Sequence, residues 1–293
     1  MTPPRLRIGV VGTGKAGAPL AAALARAGHP VVAASGVSDI SRLRAESLLP
    51  GVALLPVPEV VAAADLVLFA VPDDALADLV SGLALTGAFK PGQFVVHIAG
   101  RYGINVLAPA TAAGALPMAL HPVLSFTGTS VDLHRLSGVP FGVTAPDELR
   151  PAAEALVVEM GGEPVWIPET ARPLYHAALA HGSNHLTALV ADVLALLHSA
   201  GIEDPARLVE PLLFASLANV LERGDAALTG PVSRGDAGSV AAHLQALADA
   251  PPETRDAYVV LARLAAVRAL DAGLLKADVA QQLLAVLGRD PST

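Results

Sequence analysis

Two histidines in the first half of the chain have the residue type and the placement expected of groups that transfer protons. His97 and His121 each stand at the end of an apolar run that is typical of a buried β-strand. In an open α/β sheet such strand ends meet at the edge where ligands bind. Histidine exchanges a proton near neutral pH, which suits reduction of a carbonyl or an imine by hydride. The alternative for each residue is a buried histidine that holds a loop.

Three further polar side chains are candidates for contacts with the same ligand. Ser125 follows His121 within the segment HPVLSF, whereas Tyr175 and Asn184 belong to one predicted helix in the second half of the chain. We expect His121 and Asn184 to be catalytic, and His97, Ser125 and Tyr175 to contact the substrate. A plain packing face is the alternative for the helix.

The same predicted helix carries His181 and His185 at a four-residue spacing, which places both on one face and is typical of metal ligands. No glutamate follows His181 directly, and the sequence offers no evident third ligand. We therefore expect no metal site.

An arginine stands in the polar segment 229–236, which we expect to be a loop between helices. Arg234 is suited to bidentate binding of a carboxylate or a phosphate, and we assign it to the substrate. The alternative is a local salt bridge between Arg234 and Asp236.

A glycine-rich loop near the start of the chain predicts a dinucleotide site. Gly12, Gly14 and Gly17 follow a strand-like run and precede an Ala-rich helix. In this pattern the glycines permit a tight turn, close approach of a pyrophosphate and close helix–strand packing. A glycine-rich turn without a ligand is the alternative. We expect cofactor contacts from this loop and from the end of the third strand, at Gly12, Thr13, Gly14, Lys15, Ala16, Gly17, Val71 and Pro72.

The end of the second predicted strand bears on the choice between NAD and NADP. NAD-binding proteins place an acidic residue there, but here Ser35 and Ser38 stand in that segment with no acid between them. Arg42, like Arg44, follows within reach of a 2′-phosphate, so we predict NADP. An inward-turned Asp39 would favour NAD instead, and a solvated helix face is the alternative for both arginines.

The elements that must position these residues form two patterns along the chain. Strand-like and helix-like runs alternate up to residue 168, which predicts an α/β Rossmann fold with a doubly wound, mainly parallel sheet. Helices alone follow, one from Pro173 to Gly201 and the next begun by Asp204-Pro205. We therefore predict a dinucleotide-binding domain at residues 1–168 and an all-helical substrate and dimerisation domain at residues 169–293. The predicted strands are Arg7–Val11, Val31–Ala34, Asp65–Val71, Gln93–Ile98, Ala115–Leu120, Val139–Thr144 and Pro164–Ile167.

Composition excludes several classes of protein. The 293 residues are 53% hydrophobic and 16% charged, which is not the composition of a disordered chain. The absence of cysteine excludes disulfide scaffolds, cysteine-ligated zinc, iron–sulfur clusters and thiol nucleophiles. A net charge of −8 argues against binding to nucleic acid or an anionic membrane. Prolines and histidines interrupt the uncharged segments, and the N-terminus leads straight into a strand, so we expect a soluble, cytoplasmic protein.

Six segments together resemble a bacterial family of Rossmann-like proteins with a C-terminal domain of unknown function, within the 6-phosphogluconate-dehydrogenase-like superfamily. That superfamily includes pyrroline-5-carboxylate reductases, prephenate dehydrogenases and deazaflavin-dependent NADP oxidoreductases. The resemblance implies a nucleotide-binding N-terminal domain and a helical domain that mediates dimerisation. It also matches His121 to the His-Pro motif of prephenate dehydrogenases, in which the histidine bonds the substrate hydroxyl. The segments are GVVGTGKAG, LVLFAVPDDAL, VVHIAG, ALHPVLSF, YHAALAHGSNHLTAL and LTGPVSRGD.

The chain departs from these relatives at two positions. Ala99 stands where the family commonly has serine, so a role for a serine hydroxyl there is in doubt. Ala180 stands four residues before Asn184, where a Lys-x-x-x-Asn pair would place lysine, and this disfavours the 6-phosphogluconate and β-hydroxyacid dehydrogenase mechanisms.

Two hypotheses about function follow from these patterns. The first is an NAD(P)-dependent oxidoreductase that transfers hydride to or from a small, anionic substrate. The alternative is a dinucleotide-binding sensor or interaction protein without catalysis. In either case we expect a homodimer formed through the helical domain.

Overall fold

A computed structural model describes residues 5–288 of the chain. The predicted alternation of strands and helices is confirmed as one seven-stranded sheet, in which runs of Val, Ile, Leu and Phe are buried. Each predicted strand is present, with ends that differ by a few residues at most. The strands are β1 (Ile8–Val11), β2 (Val31–Ser35), β3 (Leu66–Phe69), β4 (Phe94–His97), β5 (Leu116–Pro122), β6 (Pro140–Thr144) and β7 (Glu163–Trp166).

The order of strands in the sheet is β2-β1-β3-β4-β5-β6-β7. The first five strands are parallel, β6 is antiparallel to β5, and β7 is parallel to β6. The order reverses between β1 and β3, which is where open α/β sheets bind ligands. Eight helices accompany the strands, namely α1 (Gly17–Arg26), α2 (Asp39–Leu48), α3 (Val57–Ala63), α4 (Asp73–Leu85), α5 (Ala108–Ala112), α6 (Val131–Arg135), α7 (Arg150–Glu159) and α8 (Arg172–Ala180).

Both faces of the sheet are buried, because successive side chains of each strand point to opposite faces. In β3, Leu66 and Leu68 join a core cluster with residues of α1 and α7. Val67 and Phe69 of the same strand join a second cluster with residues of α3, α4 and α5. The strands are thus held on both sides, and their carboxyl ends are fixed relative to one another.

The prediction of one continuous helix from Pro173 to Gly201 is wrong in one respect. It consists of α8, a π-helical turn at His181–His185, and α9 (Leu186–Ser199). A π-helical turn adds a residue to the helix and changes the direction in which the following side chains point, and such turns are frequent at functional sites.

The chain divides into two compact units, residues 1–184 and 185–293. The predicted boundary near residue 168 marks the end of the last strand, but the first unit also includes α8. The reason is that Arg172 and Tyr175 of α8 form hydrogen bonds with groups of β5 and β6.

The second unit is helical in the part that the structure describes. Asp204 begins α10 as predicted, because its side chain accepts a hydrogen bond from the backbone N–H of Arg207. The segment 229–236, expected to be a loop, contains the short helix α11. The helices after α9 are α10 (Pro205–Arg223), α11 (Pro231–Arg234), α12 (Ala237–Ala246), α13 (Pro252–Asp271) and α14 (Ala277–Leu287). Within residues 5–288, no helix has both the length and the apolar character needed to cross a membrane.

Candidate functional site

The glycine-rich loop joins β1 to α1 beside the point where strand order reverses. A Cβ atom on Gly12, where φ is +100°, would lie 2.5 Å from the carbonyl oxygen of Ala70, and one on Gly17 would overlap the carbonyl oxygen of Gly12. No atom lies within 4 Å of the position of a Cβ on Gly14. Two glycines therefore allow the fold, whereas the third leaves open space above the backbone. No side chain caps the N-terminus of α1, so its amide groups face the same space. These features fit a bound pyrophosphate.

The other predicted residues of the loop have different surroundings. Thr13 is buried, and its hydroxyl donates a hydrogen bond to the carbonyl oxygen of Ser41 at 2.9 Å, which fixes the loop to α2. Lys15 is exposed. The backbone nitrogen of Val71 lies 3.3 Å from the Cβ position on Gly12, so the segment after β3 adjoins the loop as expected.

The end of β2 borders a cavity of about 590 Å³. Arg42 lines this cavity, and its Nε donates a hydrogen bond to the carbonyl oxygen of Gly36 at 3.3 Å. The carbonyl oxygen of Ser35 accepts hydrogen bonds from two amides of the glycine-rich loop, and the hydroxyl of Ser38 caps α2. The side chain of Asp39 is 97% exposed and is not turned inward.

His97 is completely buried at the end of β4, and both of its ring nitrogens are occupied. Nδ1 accepts a hydrogen bond from the backbone N–H of Ala99 at 3.1 Å, and Nε2 donates one to the carbonyl oxygen of Gly103 at 2.8 Å. Burial lowers the pKa of His97 to about 4, so the ring is uncharged near neutral pH. No ring nitrogen remains for a substrate, and we assign His97 to holding the loop after β4.

His121 lies two residues beyond the level of His97 along the sheet, because His97 is in register with Ala119 of β5. Its Nδ1 lies 2.8 Å from the hydroxyl oxygen of Tyr175, and the two rings meet edge to face. Burial, followed by the nearby charge of Arg172, lowers the pKa of His121 to about 4. A neutral ring has one N–H, so that either the phenol donates to Nδ1 or Nδ1–H donates to the phenol. We take the phenol as the donor, which places the ring hydrogen on Nε2. Within residues 5–288, no hydrogen-bond partner occupies Nε2.

A cavity of about 280 Å³ opens beside His121. Ser125, His176 and Asn184 contribute polar groups to its lining, together with apolar groups such as Leu179. The cavity therefore brings together three of the residues predicted to contact substrate or to act in catalysis. Asn184 stands in the π-helical turn, which directs its side chain differently from a regular helix. Among the described residues that line the cavity, none is a lysine or an arginine.

One short segment connects this cavity with the glycine-rich loop. Ser125 lines the cavity, and three residues later a Cβ on Gly128 would lie 3.2 Å from Cα of Lys15. The carboxylate of Asp132 fixes the segment by accepting hydrogen bonds from the backbone amides of Thr127 and Gly128. The glycine-rich loop and the His121 cavity thus lie at the same edge of the sheet.

Arg172 is a functional candidate that the sequence did not reveal. Its guanidinium is completely buried beneath Tyr175, with Nε donating to the hydroxyl of Thr144 and Nη2 donating to the carbonyl oxygens of Ala119 and Gly142. An arginine next to a proline at the start of a helix gives no sign of burial in the sequence.

His176 and Arg101 were also missed. His176 packs edge to face against His121, with ring centroids 6.0 Å apart. Arg101 follows β4 and pairs with Asp73 and Asp74 in the first turn of α4. Burial raises the pKa of Asp73, whereas His176 and Arg101 act in the opposite direction. The only sequence signal for Arg101 and its two aspartates is that they follow the ends of β4 and β3. His176 has no such signal.

Arg234 is exposed at the end of α11 in the second unit. Asp236 caps α12 by accepting hydrogen bonds from Ser239, and these bonds lower its pKa. Among residues 5–288, no group of three or more histidine, aspartate or glutamate side chains is arranged to hold a metal ion.

Comparison with known sequences identifies both parts of the chain. Residues 1–122 match the model of a Rossmann-like domain, and residues 139–265 match a domain of unknown function, DUF2520. The chain is a Rossmann-like protein with a DUF2520 domain. The predicted resemblance is therefore confirmed. No curated protein sequence matches the chain significantly.

Solved structures show the same fold. A candidate NADP oxidoreductase from Bacteroides fragilis is 24% identical, with a TM-score of 0.73 over 90% of this chain and 98% of the other. An imine reductase from Pseudomonas sp. is 20% identical, with a TM-score of 0.68 over 95% and 98% of the two chains. The NADP-bound pyrroline carboxylate reductase of Plasmodium falciparum is 13% identical, with a TM-score of 0.57 over 97% and 98%. At these identities the likeness establishes the fold.

Proposed function

We propose that this Rossmann-like DUF2520 protein is an NAD(P)-dependent oxidoreductase acting on a small molecule in the His121 cavity. The observation that carries the proposal is the segment from Ser125 to Gly128, which connects that cavity with the glycine-rich loop. The oxidoreductases among the structural relatives support the same reaction class. The alternative is a protein that binds the dinucleotide without catalysis, and the titration and turnover experiment below separates the two.

The glycine-rich loop would hold the pyrophosphate of the dinucleotide over Gly14. Arg42 lines the cavity at the end of β2 and would bind a 2′-phosphate, which favours NADP over NAD. The exposed carboxylate of Asp39 gives no support to NAD. When bound, the cofactor supplies or accepts hydride.

His121 would provide the proton that accompanies reduction. Its Nε2–H bond breaks and the proton passes to the oxygen or nitrogen of a C=O or C=N group, while Nδ1 takes the proton of the Tyr175 hydroxyl, so that the ring stays neutral. Asn184 and Ser125 would orient the same group by hydrogen bonds. In the reverse direction Nε2 would accept the proton of the substrate while Nδ1 returns its hydrogen to the oxygen of Tyr175.

The charge of the cavity bears on the substrate. Its described lining residues include no lysine or arginine that could bind an anionic group. An anionic substrate, as the sequence suggests, would need its carboxylate or phosphate bound by a group outside this lining. The assignment of Arg234, which lies in the second unit, to the substrate stays a prediction.

Calorimetric titration with NADPH, NADH, NADP and NAD tests the cofactor assignment. Gly14→Ala puts a methyl group into open space where the pyrophosphate would lie, so we expect about tenfold weaker binding with unchanged folding. Gly82→Ala, at a helical glycine that is equally open, is the matched control and should bind as the wild type does. Failure of all four nucleotides to bind would contradict the proposal. Binding without turnover of any carbonyl or imine substrate would favour the sensor.

We also propose that the helical unit pairs with a second copy of this chain. None of the residues of α9 is buried, although it is mostly apolar. Exposed apolar side chains continue onto α10, where Phe214 is 66% exposed. A groove of about 500 Å³ lies between these helices, and exposed apolar surfaces of this kind mark sites of protein–protein contact. The same apolar face on a second copy of this chain would match it chemically and cover it.

Light scattering after gel filtration tests the dimer. The wild type should have twice the mass of one chain, and Phe214→Glu should reduce that mass to one chain. Leu85→Glu is the matched control, because Leu85 is 89% exposed on α4 of the first unit and should not affect assembly. A monomeric wild type at micromolar concentration would refute the proposal.

A further inference from the structure

The buried guanidinium of Arg172 has no acidic partner. Three hydrogen bonds hold it, at 2.8 Å to the Thr144 hydroxyl and at 3.1 and 2.9 Å to two backbone carbonyl oxygens of β5 and β6. Within residues 5–288, no carboxylate oxygen lies within ion-pair distance of it, and the buried Nη1 has no hydrogen-bond partner. A buried charge without a counterion destabilises a fold. The presence of Arg172 at this buried position therefore needs an explanation other than stability.

Arg172 and Tyr175 meet at one residue of β6. Nη2 of Arg172 donates to the carbonyl oxygen of Gly142, and a Cβ on Gly142 would lie 2.5 Å from the hydroxyl oxygen of Tyr175. The centre of the guanidinium also lies 5.6 Å from the centroid of the Tyr175 ring. The absence of a side chain at position 142 is what allows the phenol to approach the strand. The guanidinium and the hydroxyl that bonds His121 therefore both lie next to Gly142.

We propose that Arg172 is a positioning residue for the His121–Tyr175 pair, whose fixed positive charge keeps the imidazole neutral and stabilises negative charge on the phenol oxygen. The proposal rests on the proposed function for the direction of proton transfer. When the Nε2 proton of His121 passes to the substrate, Nδ1 takes the proton of the Tyr175 hydroxyl. The ring stays neutral, and the charge left on the tyrosine oxygen faces Arg172. Water then returns the proton to tyrosine.

Several other groups face His121 and bear on its protonation. Arg172, Tyr175 and His176 approach it from α8, and His97 approaches it from β4. Burial raises the pKa of Tyr175, and the charge of Arg172 lowers it. Burial therefore keeps the phenol protonated at rest, whereas the charge of Arg172 favours its ionised form. Glu169 adds a negative charge near Arg172.

Nitrogen-15 NMR of the histidine rings tests this role without any assay of activity. In the wild type, titration should give His121 as the neutral Nε2–H tautomer down to a pKa of about 4. Arg172→Gln removes the charge but keeps N–H donors for the buried carbonyl oxygens. In this variant the pKa of His121 should move up toward 6.5, the ordinary value of histidine. Arg172→Lys, which keeps the charge, should retain most of the lowering.

Two controls separate charge from packing. Thr144→Val removes one acceptor of Arg172 but no charge, so the variant should be less stable while the pKa of His121 stays near the wild-type value. An unchanged pKa of His121 in folded Arg172→Gln would overturn the proposal. If that variant does not fold, the wild type still decides, because a cationic ring at pH 6 or the Nδ1–H tautomer would overturn it. These NMR outcomes hold whether or not the protein turns over a substrate.

Discussion

His97 and His121 end neighbouring parallel strands, and burial is the largest cause that lowers the pKa of each to about 4. The two rings nevertheless differ in what their Nε2 atoms face. In His97 this nitrogen bonds the carbonyl oxygen of Gly103. In His121 it has no hydrogen-bond partner among residues 5–288 and lies next to Gly100, and the residue itself lines a cavity of about 280 Å³. The difference follows from strand length, because β5 continues three residues beyond the level at which β4 ends, and His121 is the second of these.

The comparison indicates why we propose opposite roles for the same residue type at the same edge of the sheet. A loop that folds back onto its own strand end occupies both nitrogens of His97 and turns it into a structural residue. At His121 the role of the loop is taken by Tyr175 from α8, which occupies one nitrogen and leaves the other for a ligand. Function at this edge therefore depends on which atoms remain unsatisfied.

The largest effect is expected at His121. His121→Ala removes the proposed proton donor, and turnover should fall by about 10²–10⁴-fold while the free energy of unfolding changes little. Steady-state kinetics and chemical denaturation measure the two quantities. The reverse pattern, with normal turnover and a large loss of stability, would assign His121 the role that we give to His97.

His97 should affect stability. Between pH 6.5 and about 4 the unfolded chain protonates this residue and the folded chain does not, so the free energy of unfolding falls as pH falls. His97→Gln should remove about 3 kcal/mol of that fall across the window. Urea denaturation at several pH values measures it, with the exposed His134→Gln as control. A pH dependence that is the same in His97→Gln and the wild type would contradict the structural role.

A smaller effect is expected at Gly100, which lies next to the rings of His121 and His176. A Cβ there would lie 2.5 Å from Cδ2 of His176 and 2.9 Å from Nε2 of His121, so Gly100→Ala must displace both rings. We expect turnover to fall about tenfold, with a loss of stability of about 1 kcal/mol. Gly82→Ala adds the same methyl group in open space inside α4, so it should leave turnover as in the wild type and raise stability by about 0.5–1 kcal/mol. Equal turnover of the two variants would mean that the Nε2 face of His121 is not used.

Much of the fold was predictable from the sequence. Short runs of branched apolar residues between helix-like segments determine the strands, and the spacing of Gly12, Gly14 and Gly17 identifies the first turn. The π-helical turn was not predictable, because a single glycine such as Gly182 is compatible with a regular helix as well as with a π-helical turn. The extent of the first unit was missed for a similar reason, since the contacts of α8 depend on tertiary structure.

The candidate site was predictable only in part. His121, Tyr175 and Asn184 could be selected by residue type and position, but nothing in the sequence indicates the bond between the first two. Arg172 was missed because its acceptors lie on β5 and β6, whose antiparallel pairing cannot be deduced from the alternation of strands and helices. Long-range hydrogen bonds to backbone carbonyl oxygens leave no trace in residue spacing.

Transfer of deuterium tests the central claim most directly. The protein is incubated with NADPH deuterated at C4 of the nicotinamide and with a panel of cyclic imines and small ketones, and the products are analysed by mass spectrometry. The account predicts a product that carries one deuterium with the wild type, and about 10²–10⁴-fold less of it with His121→Ala. Deuterium transfer that is equally fast in both proteins, or none at all from a wild type that binds NADPH, would contradict it.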